Sequence, residues 1–494
     1  SGQLGDGEKR LLRLAGVTSK SATTRPAQLD RKLQSLSPSI MEGHTKASSN
    51  EPIHVIIIGA GLAGLATALS TKLETPSHRV TILEAVKELQ EVGAGLQLTP
   101  NATRLLEAWG LNPALATLAT VPSTLSVHRY DGTRLLAHES HLQETVQSRY
   151  GHPFWGLHRV ELQRALVDRC TALGVEIRLS SRVRSVDFAS ATVTLDPTSN
   201  SSSSSPTVSG DVVVCADGMW STTRAQFLER PSPPALTGDL AFRIAIPIDS
   251  LKGPHKAELE AFIKSETVNF WIGPQGHGVS YTVKQGRMLN LGLLSPDNLP
   301  EGSTKVLGDV EEMRRLFSSW DPLLRKLLDQ VDSVHKWKLC WIEPLDQWAN
   351  REGTFFMAGD CCHPMLPYLA QGANSSLEDG AVLGHLLGKI RGGRETETEG
   401  SSSQLAAAAA MYQRLRMTRG QRIVMESFAQ RDDFHMPDGP EQERRDEIMM
   451  ASLGHGKEPQ PGFPSRWTCP DIQGFLYSYD AYAEAEKAYS QNPF

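Results

Sequence analysis

A glycine-rich segment at residues 59–64 has the residue types and the spacing that suit phosphate binding. It reads GAGLAG and lies between the apolar run HVIIIGA and the helical pattern GLAGLATALSTKL. Gly59 permits a tight turn, Gly61 lets the backbone approach a pyrophosphate, and Gly64 lets a helix pack closely on a strand. The free N–H groups and the positive dipole of the helix N-terminus then face the phosphates.

An acidic residue follows at the end of the next predicted strand. RVTILEA at residues 79–85 has the pattern of a second buried strand and carries Glu84. Strand, glycine-rich turn, helix and strand together predict a βαβ unit. The Glu84 carboxylate can accept hydrogen bonds from a ribose and disfavours a 2′-phosphate, so this site predicts FAD or NAD rather than NADP. A purely structural glycine-rich turn is the alternative.

Two further motifs lie at the ends of later apolar strands. GTFFMAGD ends in Asp360, and the segment CCHPMLPYLAQGAN then leads into a predicted helix. An extended dinucleotide such as FAD can use both features. Asp360 can bond the ribityl chain, and the N–H groups of residues 372–374 can meet the flavin and stabilise negative charge on its reduced form. Asp217 and Gly218 end DVVVCADG; taken alone, this dipeptide is more typical of an ordinary turn.

The elements around these motifs predict an α/β protein. We expect a discontinuous Rossmann-like FAD-binding domain, an inserted, mostly antiparallel sheet domain for the substrate, and a helical C-terminal part. Short alternating segments such as LAFRIAIPI and GVSYTVKQ separate the early buried strands from GTFFMAGD. The predicted boundaries are residues 1–50 for an extension, 51–235 and 346–430 for the two parts of the FAD-binding domain, 236–345 for the sheet domain and 431–494 for the helical region.

The bulk properties exclude several classes of partner. The chain has 494 residues, of which 39% are hydrophobic and 21% charged, and its net charge of -6 gives no reason to expect nucleic acid or a membrane surface. No apolar run is long enough to span a bilayer, so stable membrane insertion is not expected. The six cysteines show no metal-type spacing. We interpret the adjacent Cys361 and Cys362 as small buried side chains, with a redox pair as the alternative.

Residues 1–50 differ in composition from the rest of the chain. Basic residues outnumber acidic ones up to Met41, and hydrophobic periodicity is weak. Two interpretations stay open: an upstream extension without a structural role, with Met41 as an alternative start, or a mitochondrial transit segment. The predicted location is cytoplasmic in the first case and mitochondrial in the second.

Together the three motifs resemble the fingerprints of the single-component (group A) flavoprotein aromatic hydroxylases. GAGLAG, ADGMWSTTR and GDCCHPMLPYLAQGANSSLEDG occur in the family's order, and the likeness extends over roughly residues 53–480. The chain is similar to para-hydroxybenzoate hydroxylase in fold and most resembles the salicylate hydroxylase-like fungal branch, through EVGAGLQLTPNA, HRVELQRAL and AFR among other segments. It departs from the family at Cys361-Cys362, where Ala-Ala or Ala-Cys is usual, and in its N-terminal extension.

The resemblance implies non-covalently bound FAD and a set of residues around it. Arg159 and Gln163, one helical turn apart, are implied to face the FAD, and Gly93 and Gly95 to bring backbone close to the isoalloxazine ring. The ADG motif is implied to support the pyrophosphate and the approach of the nicotinamide donor. The full predicted cofactor set is Gly59, Gly61, Leu62, Ala63, Gly64, Glu84, Ala85, Gly95, Arg159, Gln163, Asp217, Gly218, Asp360, Gly372, Ala373 and Asn374.

The resemblance also implies the reaction. NAD(P)H binds transiently and reduces the flavin, and molecular oxygen then gives a flavin hydroperoxide that hydroxylates an electron-rich ring, with no metal and no protein nucleophile. The expected substrate is a phenolic or salicylate-like small molecule. Arg243 and Tyr281 are predicted to bind its phenolate or carboxylate over the flavin, and Pro367 completes the predicted catalytic set. A strand-surface salt bridge and a core aromatic are the alternatives for Arg243 and Tyr281.

Other side chains near these positions have two interpretations each. His277 and His363 could act as bases, although a hydrogen-bonded structural histidine is the more usual role. An aromatic pocket for the ring, or ordinary core packing, could involve Phe242, Trp271, Tyr281, Pro367 and Tyr368.

Several alternative functions stay open. A tailoring monooxygenase of secondary metabolism would dearomatise or epoxidise a polyketide or prenylated phenol, and a salicylate-type reaction would remove a carboxylate as it hydroxylates. A flavin oxidase or dehydrogenase would release peroxide, and many such enzymes hold the flavin through a residue such as His363 or Cys361. The intact motifs argue against a non-catalytic FAD-binding protein. A monomer and a homodimer are both expected possibilities, and the choice between NADH and NADPH has no motif.

Overall fold

The computed structural model describes residues 51–89, 95–197, 206–392, 401–454 and 459–494. The strands are β1 (His54–Ile58), β2 (Arg79–Leu83), β3 (Gly95–Leu98), β4 (Thr124–Arg129), β5 (Leu135–Glu139), β6 (Trp155–His158), β7 (Glu176–Arg178), β8 (Val183–Asp187), β9 (Thr192–Leu195), β10 (Thr207–Ser209), β11 (Val212–Cys215), β12 (Ala235–Pro247), β13 (Thr267–Gly273), β14 (Gly276–Val283), β15 (Met288–Pro296), β16 (Lys305–Gly308), β17 (Val334–Trp341) and β18 (Phe355–Met357).

The helices connect and cover these strands. They are α1 (Leu62–Glu74), α2 (Pro100–Ala108), α3 (Asn112–Ala116), α4 (Leu142–Tyr150), α5 (Arg159–Ala172), α6 (Thr222–Phe227), α7 (Lys256–Lys264), α8 (Val310–Leu316), α9 (Pro322–Leu328), α10 (Gln371–Gly388), α11 (Ser401–Phe434), α12 (Pro440–Met450), α13 (Pro470–Tyr477) and α14 (Ala481–Gln491). Single turns of 3-10 helix occur at Ile248–Ser250, Gly359–Cys361 and Pro367–Leu369.

A five-stranded parallel sheet brings the three sequence motifs to one place. Its order is β18-β11-β1-β2-β7, and every neighbouring pair is parallel. The central strands are continuous apolar runs because both faces of a parallel sheet are covered; all four residues of β11 are buried. The carboxyl ends of parallel strands share an edge, so GAGLAG, Glu84, the ADG motif and Gly-Asp after β18 meet there. The predicted discontinuous Rossmann-like arrangement is therefore confirmed.

Helices α1 and α10 pack with their backbones in close contact. Gly380, Gly384 and Gly388 lie four residues apart on one face of α10, and a Cβ on each would come within 2.4 to 2.5 Å of a side-chain atom of α1. Helix α1 begins in GAGLAG, and α10 begins in the segment that follows Asp360. The small residues therefore set the distance between two helix N-termini that face the same edge of the sheet.

An eight-stranded, mostly antiparallel sheet forms the second layer of the molecule, as predicted. Its order is β16-β17-β12-β15-β14-β13-β4-β5, and only β13 and β4 run parallel. β4 and β5 come from residues 124–139, so the sheet draws on two stretches of chain. One face packs against α7, α8 and α9 through Leu240, Phe242 and Leu291, among others.

The helical C-terminal part packs against the rest of the chain. Buried ion pairs tie its long helix α11 to α10: Arg416 contacts Glu378 and Asp379, both at 2.7 Å, and Arg419 contacts Glu378 at 2.7 Å. All four side chains are almost fully buried, where an unpaired charge would be costly. Among the described helices, none combines the length and the apolar composition that crossing a bilayer requires.

Candidate active site

Two adjoining cavities lie at the carboxyl edge of the parallel sheet. The first, which we call the sheet cavity, has a volume of about 290 Å³ and is bounded by this edge, the start of α10 and the eight-stranded sheet. The second, the turn cleft, has a volume of about 530 Å³ and extends from GAGLAG to Glu84. Because Gly61, Ala216 and Gly218 line both, the two form one elongated groove.

The glycine-rich turn is held by two side chains that also face the turn cleft. Glu84 Oε2 accepts a hydrogen bond from the Ala60 N–H at 2.8 Å, and Gln163 Nε2 donates to the Ala60 carbonyl at 2.9 Å. The backbone of Ala60 is thus held at both its N–H and its carbonyl group. Each carboxylate oxygen of Glu84 has a further lone pair that a ligand hydroxyl can use. The sequence predicted contact with the nucleotide for both side chains but not this support of the turn.

The ADG motif after β11 is anchored by a buried arginine that sequence reasoning missed. Arg224 is fully buried and donates to the carbonyls of Met219 at 3.0 Å and Cys361 at 2.9 Å. It therefore ties the ADG loop to the chain that follows β18. Asp217 accepts a hydrogen bond from the Cys215 thiol at 3.0 Å and lines the turn cleft.

The start of α10 has an unusual backbone and an internal clamp. Ala370, just before the helix, is in the left-handed region with φ 51° and ψ 27°, a strained conformation for a residue other than glycine. Asn374 uses its side chain inside the protein: Oδ1 accepts from the Thr99 N–H at 3.0 Å, and Nδ2 donates to the Ala370 carbonyl at 2.5 Å. Gly372 and Ala373 line the sheet cavity, whereas Asn374 does not.

Three strands of the eight-stranded sheet form the opposite wall of the sheet cavity. Arg243 on β12 is level with Gly292 on β15, which is level with Val279 on β14. His277 and Tyr281 lie two residues to either side of Val279, so their side chains share its face. A Cβ on Gly292 would meet only the Val279 side chain, at 3.4 Å. The missing side chain of Gly292 therefore leaves open space between Arg243, His277 and Tyr281.

Three charged side chains line the sheet cavity. Arg159, Arg243 and Asp360 are exposed residues that line the sheet cavity, so their exposed surface faces the groove. The surrounding protein lowers the pKa of Arg243, and the positive charge of Arg159 lowers it further, against the opposing effect of Tyr281. Desolvation by the walls of the sheet cavity, which enclose its exposed surface, raises the pKa of Asp360, although His363 and Arg159 oppose this. No ion pair joins Arg243 to a carboxylate of the described residues.

Gly95 and Asn290 position Tyr281. The Gly95 N–H donates to Asn290 Oδ1 at 2.9 Å, and a Cβ on Gly95 would lie only 2.7 Å from the Tyr281 ring. Glycine at this position is therefore required by the close approach of the ring. Burial raises the pKa of Tyr281, so its hydroxyl stays protonated. Asn290 was not predicted, but a polar residue on the cavity face of the apolar segment RMLNLGLL is a signal that could have identified it.

The remaining wall of the sheet cavity is apolar and aromatic. It includes Phe270, Leu294, Leu366, Tyr368 and Trp467, all buried. Trp467 from the C-terminal region was not predicted from the sequence. Its indole Nε1 donates to the Tyr368 backbone carbonyl at 2.9 Å, which holds the indole ring at the cavity.

Two aromatic residues predicted to line the pocket lie on the other face of the sheet. Phe242 packs against Phe317 with ring centroids 6.1 Å apart, and Trp271 Nε1 donates to Asp321 at 2.7 Å, both within the core beneath α7 to α9. Successive residues of a strand point to opposite faces, so Phe242 cannot share a face with Arg243. Of the two interpretations for these residues, ordinary core packing therefore holds.

Most of the other predicted residues come together in the groove. Pro367 lines the sheet cavity with Arg243 and Tyr281. Gly64 lines neither cavity, because it packs α1 on β1: a Cβ there would lie 2.1 Å from the Gly59 carbonyl oxygen. Gly93 lies outside the described residues. The predicted cofactor residues that line one or both cavities are Gly59, Gly61, Leu62, Ala63, Glu84, Ala85, Gly95, Arg159, Gln163, Asp217, Gly218, Asp360, Gly372 and Ala373.

The groove fits an extended dinucleotide such as FAD. A Cβ on Gly61 or Gly372 would have no other atom closer than 3.9 Å, so both backbones face open space that a ligand can approach. Gln97, a buried residue of the sheet cavity, has its Nε2 atom without a hydrogen-bond partner in the described residues. An unsatisfied buried donor of this kind suggests a missing acceptor, which the polar edge of a flavin would provide.

The residues considered for covalent attachment of the flavin do not face the groove. His363 is buried, hydrogen-bonds to Asp379 and stacks on Trp348 with ring centroids 4.9 Å apart. Cys361 donates to the Cys215 carbonyl at 3.0 Å, and Cys362 to the Gly359 carbonyl at 3.3 Å. Both cysteines are buried, in agreement with their interpretation as small core side chains.

Comparison with known proteins assigns the family. The FAD binding domain family matches residues 52–279 and 329–424, more than half of the chain. The FAD-dependent monooxygenase OpS4 of Beauveria bassiana is 47% identical over 89% of this chain and 98% of its own length. The chain is an FAD-dependent monooxygenase of the group A family. The 3-amino-4-hydroxybenzoate 2-monooxygenase PtmB3 of Streptomyces platensis is 31% identical to this monooxygenase over 83% of the chain and 95% of its own length.

Solved structures agree on the fold of the monooxygenase. A salicylate hydroxylase substrate complex superposes with a TM-score of 0.68 at 21% identity, over 88% of this chain and 98% of the other. CtdE in complex with FAD and a substrate superposes with a TM-score of 0.69 at 19% identity, over 89% and 98% of the two chains. The family match makes FAD the cofactor of the monooxygenase.

Proposed function

We propose that the monooxygenase hydroxylates a phenol that carries an acidic group, of the hydroxybenzoate or salicylate type. The observation that carries this proposal is Arg243, a charged side chain in the sheet cavity without a carboxylate partner among the described residues. Its guanidinium lies 6.0 Å from the centroid of the Trp337 ring, but a guanidinium without an anionic partner in a partly desolvated site is unfavourable. A carboxylate or phenolate on the substrate would satisfy it with charge-assisted hydrogen bonds.

The rest of the sheet cavity suits a single small ring. Its volume of about 290 Å³ is at the small end of ligand pockets, and the flavin ring would share it. Strands are roughly 4.8 Å apart, so the space over Gly292 between Arg243 and Val279 accommodates one flat ring. The apolar wall with Phe270 and Trp467 would pack against that ring and exclude water.

The names of the relatives support the same substrate class. They include 3-amino-4-hydroxybenzoate 2-monooxygenases and 3-hydroxybenzoate 6-hydroxylases, and the structural comparison includes a salicylate hydroxylase. All of these names describe a ring with a hydroxyl and a carboxylate. OpS4 and atnJ are described only as FAD-dependent monooxygenases.

The protein's own residues have three roles in this proposal. FAD, once reduced by NAD(P)H, supplies the oxygen chemistry. Arg243 holds the acidic group of the ring, and Tyr281 donates a hydrogen bond from a hydroxyl that burial keeps protonated. The residues around the glycine-rich turn and at the start of α10 hold the cofactor, with Glu84 and Asp360 as acceptors for its hydroxyl groups.

A substrate screen tests the proposal. Purified monooxygenase with FAD is incubated with NADH or NADPH and a panel of hydroxybenzoates, each matched with the corresponding phenol that lacks the carboxylate. We expect hydroxybenzoates to stimulate coenzyme oxidation more than the matched phenols. Product mass distinguishes gain of oxygen from gain of oxygen with loss of carbon dioxide. Turnover of polyketide or prenylated phenols alone would favour the tailoring function instead.

Variants identify the anion site. Loss of a hydrogen bond to a charged group costs about 1.5–3 kcal/mol, so Arg243→Ala should lower kcat/KM for hydroxybenzoates by about 10- to 100-fold and affect the matched phenols much less. Tyr281→Phe should lower both. Arg230→Ala, at an exposed arginine outside the groove, is the matched control. Equal effects of Arg243→Ala on acids and matched phenols would contradict the assignment.

A further inference from the structure

Two thiols and a carboxylate come together where the ADG motif meets the turn that follows β18. Cys215 ends β11, and Cys361 ends the 3-10 turn after β18. The two strands are parallel neighbours, with Cys215 level with Met357. One ligand atom of each of Cys215, Asp217 and Cys361 lies within 4.8 Å of the other two. The spacing along the chain gave no sign of this cluster, because 146 residues separate the two cysteines.

The cluster is held in place by its hydrogen bonds. The Cys215 thiol donates to Asp217 Oδ1 and the Cys361 thiol to the Cys215 carbonyl, both at 3.0 Å. That carbonyl also accepts from the Ala358 N–H at 3.0 Å, so it stays paired when the Cys361 thiol loses its proton. Arg224 donates to the Cys361 carbonyl at 2.9 Å. The backbone that carries the ligand groups is therefore positioned independently of the thiol protons.

Asp217 connects the cluster to solvent. Both cysteines are fully buried, whereas Asp217 is half-buried and lines the turn cleft. Gly218 lines the same cleft, and a Cβ there would have no atom within 4 Å. An ion in the cleft can therefore reach the carboxylate first and the two sulfur atoms behind it.

We propose that Cys215, Asp217 and Cys361 form a binding site for a thiophilic divalent cation of the zinc class. Thiolate sulfur and carboxylate oxygen bind Zn²⁺ at about 2.3 Å and about 2.1 Å. Tetrahedral ligand atoms are then roughly 3.3–3.8 Å apart, so the distances within the cluster change by at most about 1.5 Å on binding. Three protein ligands leave the fourth position open to water. The site does not depend on the identity of the substrate.

Binding replaces two protons by one dication. Burial raises the pKa of the Cys215 thiol, and Cys361 and Asp217 raise it further. Burial also raises the pKa of Cys361. Two S–H bonds break, two sulfur–metal bonds form, and the protons leave to water, with no change in oxidation state. The net charge of the cluster is the same before and after, so no uncompensated charge enters the core.

A neighbouring group of similar composition is a poorer candidate. Cys362, His363 and Asp379 also have ligand atoms within 4.8 Å of one another. Asp379, however, already pairs with His363 and with Arg416, the latter at 2.7 Å. A cation there would be repelled by the guanidinium and would displace a buried ion pair. None of the three residues lines the sheet cavity or the turn cleft.

The experiment measures metal binding to the holoenzyme. The protein is dialysed against a chelator and then equilibrated with Zn²⁺, and bound zinc is determined by metal analysis. We expect one tightly bound ion per chain. Cd²⁺ serves as the spectroscopic probe, because the ultraviolet band of cadmium–thiolate bonds reports sulfur ligation. Two protons leave for each ion bound, so the affinity for Zn²⁺ should rise by about 100-fold per pH unit.

Variants identify the ligands. Loss of an outer-shell partner alone costs about 10- to 100-fold in metal affinity, so Cys361→Ala should weaken Zn²⁺ binding by at least about 100-fold and reduce the pH dependence to about tenfold per unit. Alanine is usual at this position in the family that the sequence resembles, so the variant should fold and keep its FAD. Cys362→Ala, at the adjacent buried thiol, is the matched control and should bind both metals like the wild type.

Three outcomes would overturn the site. They are a wild type without the cadmium–thiolate band, equal Zn²⁺ affinities for the wild type and Cys361→Ala, and loss of the band in Cys362→Ala. Zn²⁺ held only by exposed carboxylates and histidines would give the first of these. The band and the pH dependence of the wild type need no variant, so they decide the matter even if a cysteine variant fails to fold.

Discussion

The contact between α1 and α10 leads to a prediction that can be worked out from the structure. In Gly384→Ala, the new Cβ would lie 2.5 Å from the Ser70 side chain and 2.6 Å from the Thr67 carbonyl oxygen. Ordinary contact begins at 3.4 Å, so the helices must separate by about 0.9 Å at this point, or the backbone must distort. Overpacking of this kind costs about 1–3 kcal/mol.

A second glycine provides the matched control. Gly474 lies inside α13, and a Cβ there would have no atom within 4 Å. Gly474→Ala thus gains the same helix propensity, up to about 1 kcal/mol, without the clash. The difference in the free energy of unfolding between the two variants cancels the propensity and isolates the packing cost. We expect Gly384→Ala to be less stable than Gly474→Ala by about 1–3 kcal/mol.

The separation of the helices should also weaken FAD binding. Both N-termini face the groove, so moving α1 away from α10 misplaces GAGLAG relative to Gly372 and Ala373. Urea unfolding followed by circular dichroism measures the stability, and the fluorescence of released FAD measures retention. Equal unfolding free energies and equal FAD affinities for Gly384→Ala and Gly474→Ala would refute the reasoning.

Three further predictions concern single contacts. Gln163→Leu removes the hydrogen bond to the Ala60 carbonyl, which is worth about 1 kcal/mol. The Kd for FAD should therefore rise about fivefold in a titration of the apoprotein. An unchanged Kd would mean that the glycine-rich turn keeps its conformation without this hydrogen bond. Gly292→Ala adds a methyl group to the cavity without a clash. Substrate binding should weaken by roughly tenfold or more, while the melting temperature and the FAD content stay the same. A substrate with a smaller ring should bind the variant as well as the wild type. Burial alone would raise the pKa of Asp379, but His363 and Arg416 lower it to about 2. The stabilisation that these ion pairs give the folded state is therefore complete above pH 3.8, the ordinary pKa of the group, and is lost as the pH falls toward 2. Acid titration of the unfolding free energy should show this loss, and Asp379→Asn should reduce the slope.

The sequence predicted the parts of the fold that depend on local pattern. GAGLAG, DVVVCADG and GTFFMAGD each combine an apolar strand with a polar or glycine ending, and parallel strands necessarily bring such endings to one edge. This reasoning needed no knowledge of the chain between the motifs. The order of the strands and the contact through Gly380, Gly384 and Gly388 could not be derived, because nothing in one helix indicates which helix will face it.

Some residues stayed ambiguous or were missed because their type was considered without their neighbours. Phe242 was considered both for the pocket and for the core, although adjacent residues in a strand point to opposite faces and Arg243 was predicted to face the pocket. Asn290 was overlooked even though it shares a face with Gly292 and Leu294 in an apolar strand. Strand alternation alone would have decided the role of Phe242 and suggested Asn290. Trp467 could not be found in this way, since only the tertiary fold places the C-terminal region against the sheet cavity.

The two ends of the groove differ in how firmly they are held, and this bears on catalysis. At the start of α10, Asn374 is bonded to three backbone groups, and one turn later Glu378 is bonded to Asn101 and Arg419. These bonds join α10 to residues 97–101, to Ala370 just before the helix and to α11. The start of α10 is thus held by several parts of the chain, which keeps the strained Ala370 in place.

The turn cleft is more exposed to solvent and has fewer close contacts than the start of α10. Trp220 is 54% exposed, and Gly218 has no atom within 4 Å of where its Cβ would be. A substrate ring must be held within a fraction of an ångström of the reacting atom, whereas the adenosine half of the cofactor only needs to be bound. The buried ion pairs of Glu378 and Asp379 lie next to the start of α10, where position decides the rate in the proposed function. The glycine-rich turn is held instead by single hydrogen bonds from Glu84 and Gln163. Loss of a clamp at α10 should therefore reduce the yield of hydroxylated product per NAD(P)H before it reduces FAD content.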